Sequence, residues 1–151
     1  MVINKLLSAF IFLITCHVFA ADGLSPVGMW KTIDDETKKE KSIVVIYEVE
    51  GKLHGRVHKI FRPADEDQNP KCDKCKGDMK DQPMIGLEIL KKLKKSSDTT
   101  WNDGEITDPK NGKTYSCKIE LIEDGKKLKV RGFIGFSLLG RTQVWEKFIT
   151  N

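Results

Sequence analysis

The stretch "NGKTYSCKIELIEDGKKLKVRGF", Asn111–Phe133, decides how this chain folds. It opens on Asn111-Gly112, and Asp124-Gly125 divides the rest into two runs. Both dipeptides are strong short-range hairpin signals, because type I′ turns need positive φ, which Gly, Asn and Asp tolerate. Within the first run Tyr115, Cys117, Ile119 and Leu121 share one face, while Thr114, Ser116, Lys118 and Glu120 share the other. That is the strand period, since successive Cβ atoms point to opposite sides of a pleated backbone. Past Gly125, Leu128, Val130, Gly132 and Ile134 oppose Lys127, Lys129 and Arg131 in the same way. Two antiparallel neighbours, each with a core face and a wet face, are expected.

The same grammar runs outward in both directions. Val27–Ile33, Ile43–Val49, Lys52–Phe61, Ile85–Leu93, Glu105–Asp108 and Arg141–Phe148 are further β-rich runs, and Glu50-Gly51 is another turn. Met84–Lys95 carries apolar residues that fit either a helical or a strand period, and the reading taken is strand. The reading is therefore all-β, about eight short antiparallel strands that must hide their edges. Closure into a small barrel removes edges altogether, and a sandwich is the alternative.

The first twenty residues differ from the rest. One charge, Lys5, precedes an apolar run from Leu6 to Ile14, and Val18-Phe19-Ala20 stands before Ala21. A charged start, a short apolar stretch and a small-residue cleavage site make residues 1–20 a secretory signal peptide, with 21–151 as one domain. The run is too short to span a bilayer, which needs about 20 apolar residues. Cys16, after Leu13-Ile14-Thr15, raises lipid modification, which ranks below plain cleavage because Thr15 stands where a small residue is wanted. The expected location is periplasmic or secreted. The formal charge is +4, of which Lys5 supplies one unit. So weak a balance makes no case for nucleic acid. Lys91, Lys92, Lys94 and Lys95 are a denser patch that could touch an anionic envelope surface, although lysines guarding a strand edge explain it more simply.

"SPVGMW" places Gly28 and Trp30 as a Gly-x-Trp at the opening of the first strand. This resembles the lipocalin signature, in which the tryptophan closes one barrel end and an arginine of the last strands packs across it; Arg131 and Arg141 are the candidates here. A closer likeness covers almost all of residues 21–151. "VGMWKTIDDE", "GKLHGRV", "KCDKCKGDMKDQPMIGLEIL", "WNDGEITDPKNGKTYSCK" and "LKVRGFIGFSLLGRTQVWEKF" together resemble the uncharacterised bacterial family known as domain of unknown function 2147. The resemblance implies a small exported lipocalin-like β-barrel and supplies no reaction. His54, where an aromatic is common, and Cys117 depart from the family pattern.

Cys72-x-x-Cys75 admits three readings. Zinc wants four ligands in a closed site or three plus water in a catalytic one, and only Cys117, His54 and His58 remain to complete the set. Redox exchange wants a low-pKa thiolate at a helix start within a βαβ frame, which this loop does not offer. A Cys72–Cys75 disulfide formed in an oxidising compartment is the preferred reading, with Cys75–Cys117 as the rival pairing. His54, Arg56 and His58 share a strand face, read as exterior because Leu53, Gly55 and Val57 oppose them. Asp108 is read as capping its own turn before Pro109. No catalytic constellation, metal site or cofactor is expected.

What remains is the barrel. One of eight strands is filled by side chains or holds one small ligand. "FIGFSLLG", Phe133–Gly140, is more apolar than a turn requires and is expected to line or lid the mouth. Trp30, Phe133, Phe136, Leu138, Leu139 and Arg141 are the expected contacts for a small apolar or amphipathic ligand.

Overall fold

The computed structural model describes residues 24–136 and 138–150. The expected signal segment, its cleavage site and Cys16 lie outside them. Eight strands follow in chain order: β1 (Gly28–Ile33), β2 (Glu40–Val49), β3 (Lys52–Ile60), β4 (Glu88–Lys95), β5 (Thr100–Asp108), β6 (Lys113–Ile122), β7 (Lys127–Phe133) and β8 (Gly140–Lys147). Each pairs antiparallel with its neighbour, and β8 returns to β1 to close a barrel. Beside the strands stands one short 3-10 turn, Gly77–Met79. No helix among the described residues is long and apolar enough to cross a membrane.

The alternation read from Asn111–Phe133 is the alternation of the wall. Cys117, Ile119 and Leu121 are buried, as are Leu128 and Val130 of β7. Ser116 and Lys118 face out. The register Leu121↔Leu128 and Ile119↔Val130 places apolar partners directly across the hairpin, where such pairs stabilise a sheet. The interior is filled by Trp30, Val44, Ile46, Leu53, Leu90, Leu93, Trp101 and Trp145 with these residues.

Two readings need correction. The Asn111-Gly112 turn is not type I′: only Gly112 has positive φ, at 71°, and its N–H donates to Asp108 O over 2.8 Å. Pro109 pre-sets a right-handed φ, and Asp108 Oδ1 accepts from the Lys110 N–H at 2.9 Å, so a four-residue loop wins. The tight two-residue turn is Glu50-Gly51, with φ of 50° and 73°. Strand β4 starts at Glu88 instead of Ile85. It is bulged where Lys92 adopts φ 59°, and Ile89 and Leu90 are both buried. That insertion is why the segment fits no single period.

The up-and-down order sorts the connections to two ends. The base carries the turns at 50–51, 96–99 and 123–126, together with residues 24–27 and 148–150. The mouth carries the loops 34–39, 61–87 and 109–112, with residues 134–136 and 138–139.

Candidate functional site

The long β3–β4 loop is organised by its own polar groups. Asn69 Oδ1 accepts from the Ile85 N–H at 2.8 Å, Cys72 N–H donates to Gln82 O at 2.8 Å, and Met84 N–H donates to Pro70 O at 2.9 Å. These fold 70–72 against 81–84 as a small ribbon with a Lys71↔Pro83 bridge. Cys72 and Cys75 are joined by a disulfide with Cα atoms 5.4 Å apart. Both are buried and pack on the core with Leu87, Met79 and Met84. Cys72 Sγ lies 3.8 Å from Pro109 O. The Lys74 carbonyl sits directly over Gly112, which has no side chain to obstruct it. The loop is thus stapled by its disulfide and seated on the β5–β6 turn across the mouth.

That pairing leaves no thiolate at 72 or 75 to ligate a metal or exchange a disulfide. The rival Cys75–Cys117 bridge is not formed. Cys117 is a free, buried thiol, pushed up to about 12 by desolvation.

Of the six residues expected at the ligand site, Phe133, Phe136, Leu138, Leu139 and Arg141 share the mouth end of the β7–β8 hairpin, and Trp30 does not join them. Trp30 lies toward the base, fully buried, with Nε1 donating to Pro26 O at 2.7 Å. The cation over its ring is Lys147, whose Nζ is 5.7 Å from the centroid. Arg141 stands at the mouth and donates from Nε to Asp35 Oδ2 at 2.6 Å. That hydrogen bond, with the attraction of the carboxylate, raises the Arg141 pKa. Gln143 Nε2 donates to the same oxygen at 3.3 Å and Gln143 Oε1 accepts from Trp145 Nε1 at 3.1 Å, so a polar chain descends from the rim to a buried tryptophan. Arg131 donates to Thr142 Oγ1 at 2.8 Å and to Leu138 O at 3.2 Å, tying the β7–β8 tip to β8. Phe133 is half-buried on the wall beside Asn102, Ser116 and Lys118.

The tip itself projects. Ile134, Phe136, Leu138 and Leu139 are 64%, 81%, 87% and 71% exposed. The lid over the mouth is the disulfide loop, and the tip expected to serve as one stands beside it. Between them opens a cleft of about 330 Å³ lined by Lys76, Met79, Thr107, Gly112, Lys113, Thr114, Tyr115 and Ile134. Of these, Ile134 lies in the stretch expected at the mouth, Gly112, Thr114 and Tyr115 entered only through the turn and strand pattern, and Lys76, Met79, Thr107 and Lys113 were not read as site residues. The pattern that could have found the cleft is the alternation of Lys113 and Tyr115 at the start of β6.

The remaining candidates sit on the wall. His54 Nδ1 is 2.9 Å from Glu88 Oε1, which also accepts from the Tyr47 hydroxyl at 2.9 Å. Burial, then the neighbouring Glu88, raises the Tyr47 pKa. Arg56 lies over the Tyr47 ring at 5.4 Å. Arg56 and His58 are exposed, in keeping with an exterior face. Of the lysine patch, Lys91 is 3.9 Å from Glu88, Lys94 is 3.7 Å from Asp103, and Lys95 lies 5.9 Å over Trp101, so much of its charge is already engaged.

A family model described as "Uncharacterized protein conserved in bacteria (DUF2147)" matches residues 28–147. The chain belongs to this family. The match begins with β1 and ends with β8, so the barrel and its stapled loop are what DUF2147 denotes here. Among solved structures the chain is similar to one described as protein HP1028 from the human pathogen Helicobacter pylori, which belongs to the lipocalin family. The identity is 19%, the TM-score 0.72, and the alignment covers 83% of this chain and 84% of that one. At that identity the likeness establishes a lipocalin-like fold for this DUF2147 protein. No curated protein matches the sequence.

Proposed function

We propose that this DUF2147 barrel is an exported, non-enzymatic binding protein that captures a small apolar or amphipathic molecule at its mouth rather than deep in the barrel. The observation that carries the reading is the apolar quartet Ile134, Phe136, Leu138 and Leu139, exposed beside the rim cleft. Leaving four such side chains in water forgoes about 1.5–3 kcal/mol each, and contiguous exposed apolar surface marks interaction sites. The filled interior argues for the rim: Trp30, Trp101 and Trp145 occupy the space a deep ligand would need. A lipocalin-like fold fits the role, since the mouths of β-barrels are a common place for ligand sites. Export fits the apolar, lysine-led start of the sequence and a disulfide that needs an oxidising compartment.

Native mass spectrometry of the protein purified from its own host tests the reading. The expected result is a co-purifying small molecule that is lost when Phe136 and Leu138 become serine. Protein that carries nothing, and that also fails to bind an apolar fluorescent probe at the mouth, removes the reading.

A further inference from the structure

The rim cleft has a polarity that selects among amphiphiles. Two lysines reach it from different elements, Lys76 from the stapled loop and Lys113 from the start of β6, and among the described residues no acidic side chain lines it. Neither side-chain ammonium makes an ion pair or hydrogen bond among the described residues, although the Lys113 backbone N–H donates to Asn111 Oδ1 at 2.8 Å. The nearby Asp108 is turned into its own hairpin, where it accepts the Lys110 N–H. Hydroxyls share the same wall. Thr107 and Thr114 bond to each other at 2.8 Å, and the Tyr115 hydroxyl accepts from Asn111 Nδ2 at 2.9 Å, which leaves its own proton to donate. The other side is apolar, with Met79 and Ile134 leading onto the exposed tip. At about 330 Å³ the cleft is near the lower end of the roughly 300–1,000 Å³ typical of ligand pockets, enough for one head group and part of a chain.

We propose that this cleft binds the anionic head of a free single-chain amphiphile, a carboxylate or phosphate held by Lys76, Lys113 and the Tyr115 hydroxyl, with its chain laid over Met79, Ile134, Phe136, Leu138 and Leu139. The inference rests on mouth binding as proposed above and adds the sign of the ligand's charge. Lysine suits the task as a compact cation with several donors, able to satisfy a head group of either geometry. The Cys72–Cys75 staple acts as a positioning element, because it fixes the loop that delivers Lys76.

The test compares three ten-carbon ligands below their micellar concentrations, by calorimetry at low and high salt: decanoate, decyltrimethylammonium and decyl maltoside. Decanoate is expected to bind at least about fivefold tighter than the other two, which is the scale of exposed charge contacts, with the preference shrinking as salt screens it. In a Lys76→Gln, Lys113→Gln protein that preference should vanish while decyl maltoside binds as before. A Lys92→Gln, Lys94→Gln protein should keep it. Equal affinity for all three heads, or a preference that survives the Lys76 and Lys113 changes, overturns the charge assignment. If the three still weaken together in a Phe136→Ser protein, the mouth-binding reading stands without it. Failure of all three to bind sinks both. Binding to phosphatidylglycerol vesicles without binding to monomeric decanoate overturns the inference in favour of a bilayer surface.

Discussion

Gly112 and Gly51 make a matched pair that measures how firmly the stapled loop is seated. Both lie in the left-handed region, at φ of 71° and 73°. An alanine at either therefore carries the same conformational penalty, about 1–2 kcal/mol for an L-residue. They differ in what the new methyl meets. At Gly51 nothing lies within 4 Å, whereas at Gly112 the methyl would fall inside the Lys74 carbonyl and only 3.0 Å from Cys75 N. Those are backbone atoms in a disulfide-closed loop, so no side chain can rotate away. Forced overpacking costs typically about 1–3 kcal/mol more. Gly51→Ala is thus expected to lose about 1–2 kcal/mol and Gly112→Ala about 2–5 kcal/mol, summing these two terms. Urea unfolding followed by the fluorescence of the buried tryptophans reads both. Trypsin should also cut at Lys74 or Lys76 faster in Gly112→Ala, under conditions where Gly51→Ala resists. If the two losses agree within about 0.5 kcal/mol, which is the scatter of surface changes, the loop is not seated on the β5–β6 turn and the reasoning about the mouth fails with it.

Other consequences are as direct. Unfolded, Cys117 releases its proton near roughly 8.5, but folded it holds it up to about 12, so rising pH favours the unfolded chain across that window. Wild type should then lose about 1.4 kcal/mol per pH unit more than Cys117→Ala between about pH 9 and 12; parallel stability curves from urea titrations would contradict it. Trp30→Phe strands the buried Pro26 carbonyl that now accepts at 2.7 Å, an expected loss of about 1–3 kcal/mol, and an unchanged urea midpoint would show that bond to be immaterial. Changing Phe136, Leu138 and Leu139 together to serine should leave stability within about 0.5 kcal/mol, since exposed side chains contribute little to folding, while weakening an apolar dye; a large drop in melting temperature would mean the tip is packed after all. Reducing the Cys72–Cys75 disulfide should loosen the rim cleft and weaken decanoate with little effect on the far end of the barrel, measured by calorimetry alongside amide exchange; uniform loss of protection would refute that locality.

The wall was legible because a one-residue slip would turn every side chain of a strand to the wrong face. Cys117, Ile119, Leu121, Leu128 and Val130 accordingly announced themselves. Less was legible where bulges break the period, as at Lys92 in β4, or where a proline redirects a turn, as at Pro109. The site was hardest. Apolar content marked "FIGFSLLG", but direction is decided by packing, and the mouth was already occupied by the buried Cys72–Cys75 loop. Trp30 was placed with the ligand because the lipocalin likeness puts it at a barrel end. Only the course of β1 shows that this end lies across from the tip. Lys76 and Lys113 are far apart in sequence and meet only because the loop sits on Gly112, a contact no local pattern encodes.

The closing seam has a kinetic side. Seven of the eight pairings join strands that are neighbours in sequence, while β1 meets β8 through the register pairs Trp30↔Lys147 and Lys31↔Glu146. Six of these hairpins close short loops and β3–β4 a longer one, whereas the seam must bring together opposite ends of the barrel sequence, and such distant contacts slow folding. Ring closure is therefore the late event. Before it the sheet has two raw edges, β1 and β8, whose unpaired backbone groups can join a second chain as readily as each other. Dilution favours the cylinder during refolding, and crowding of half-closed molecules favours the aggregate.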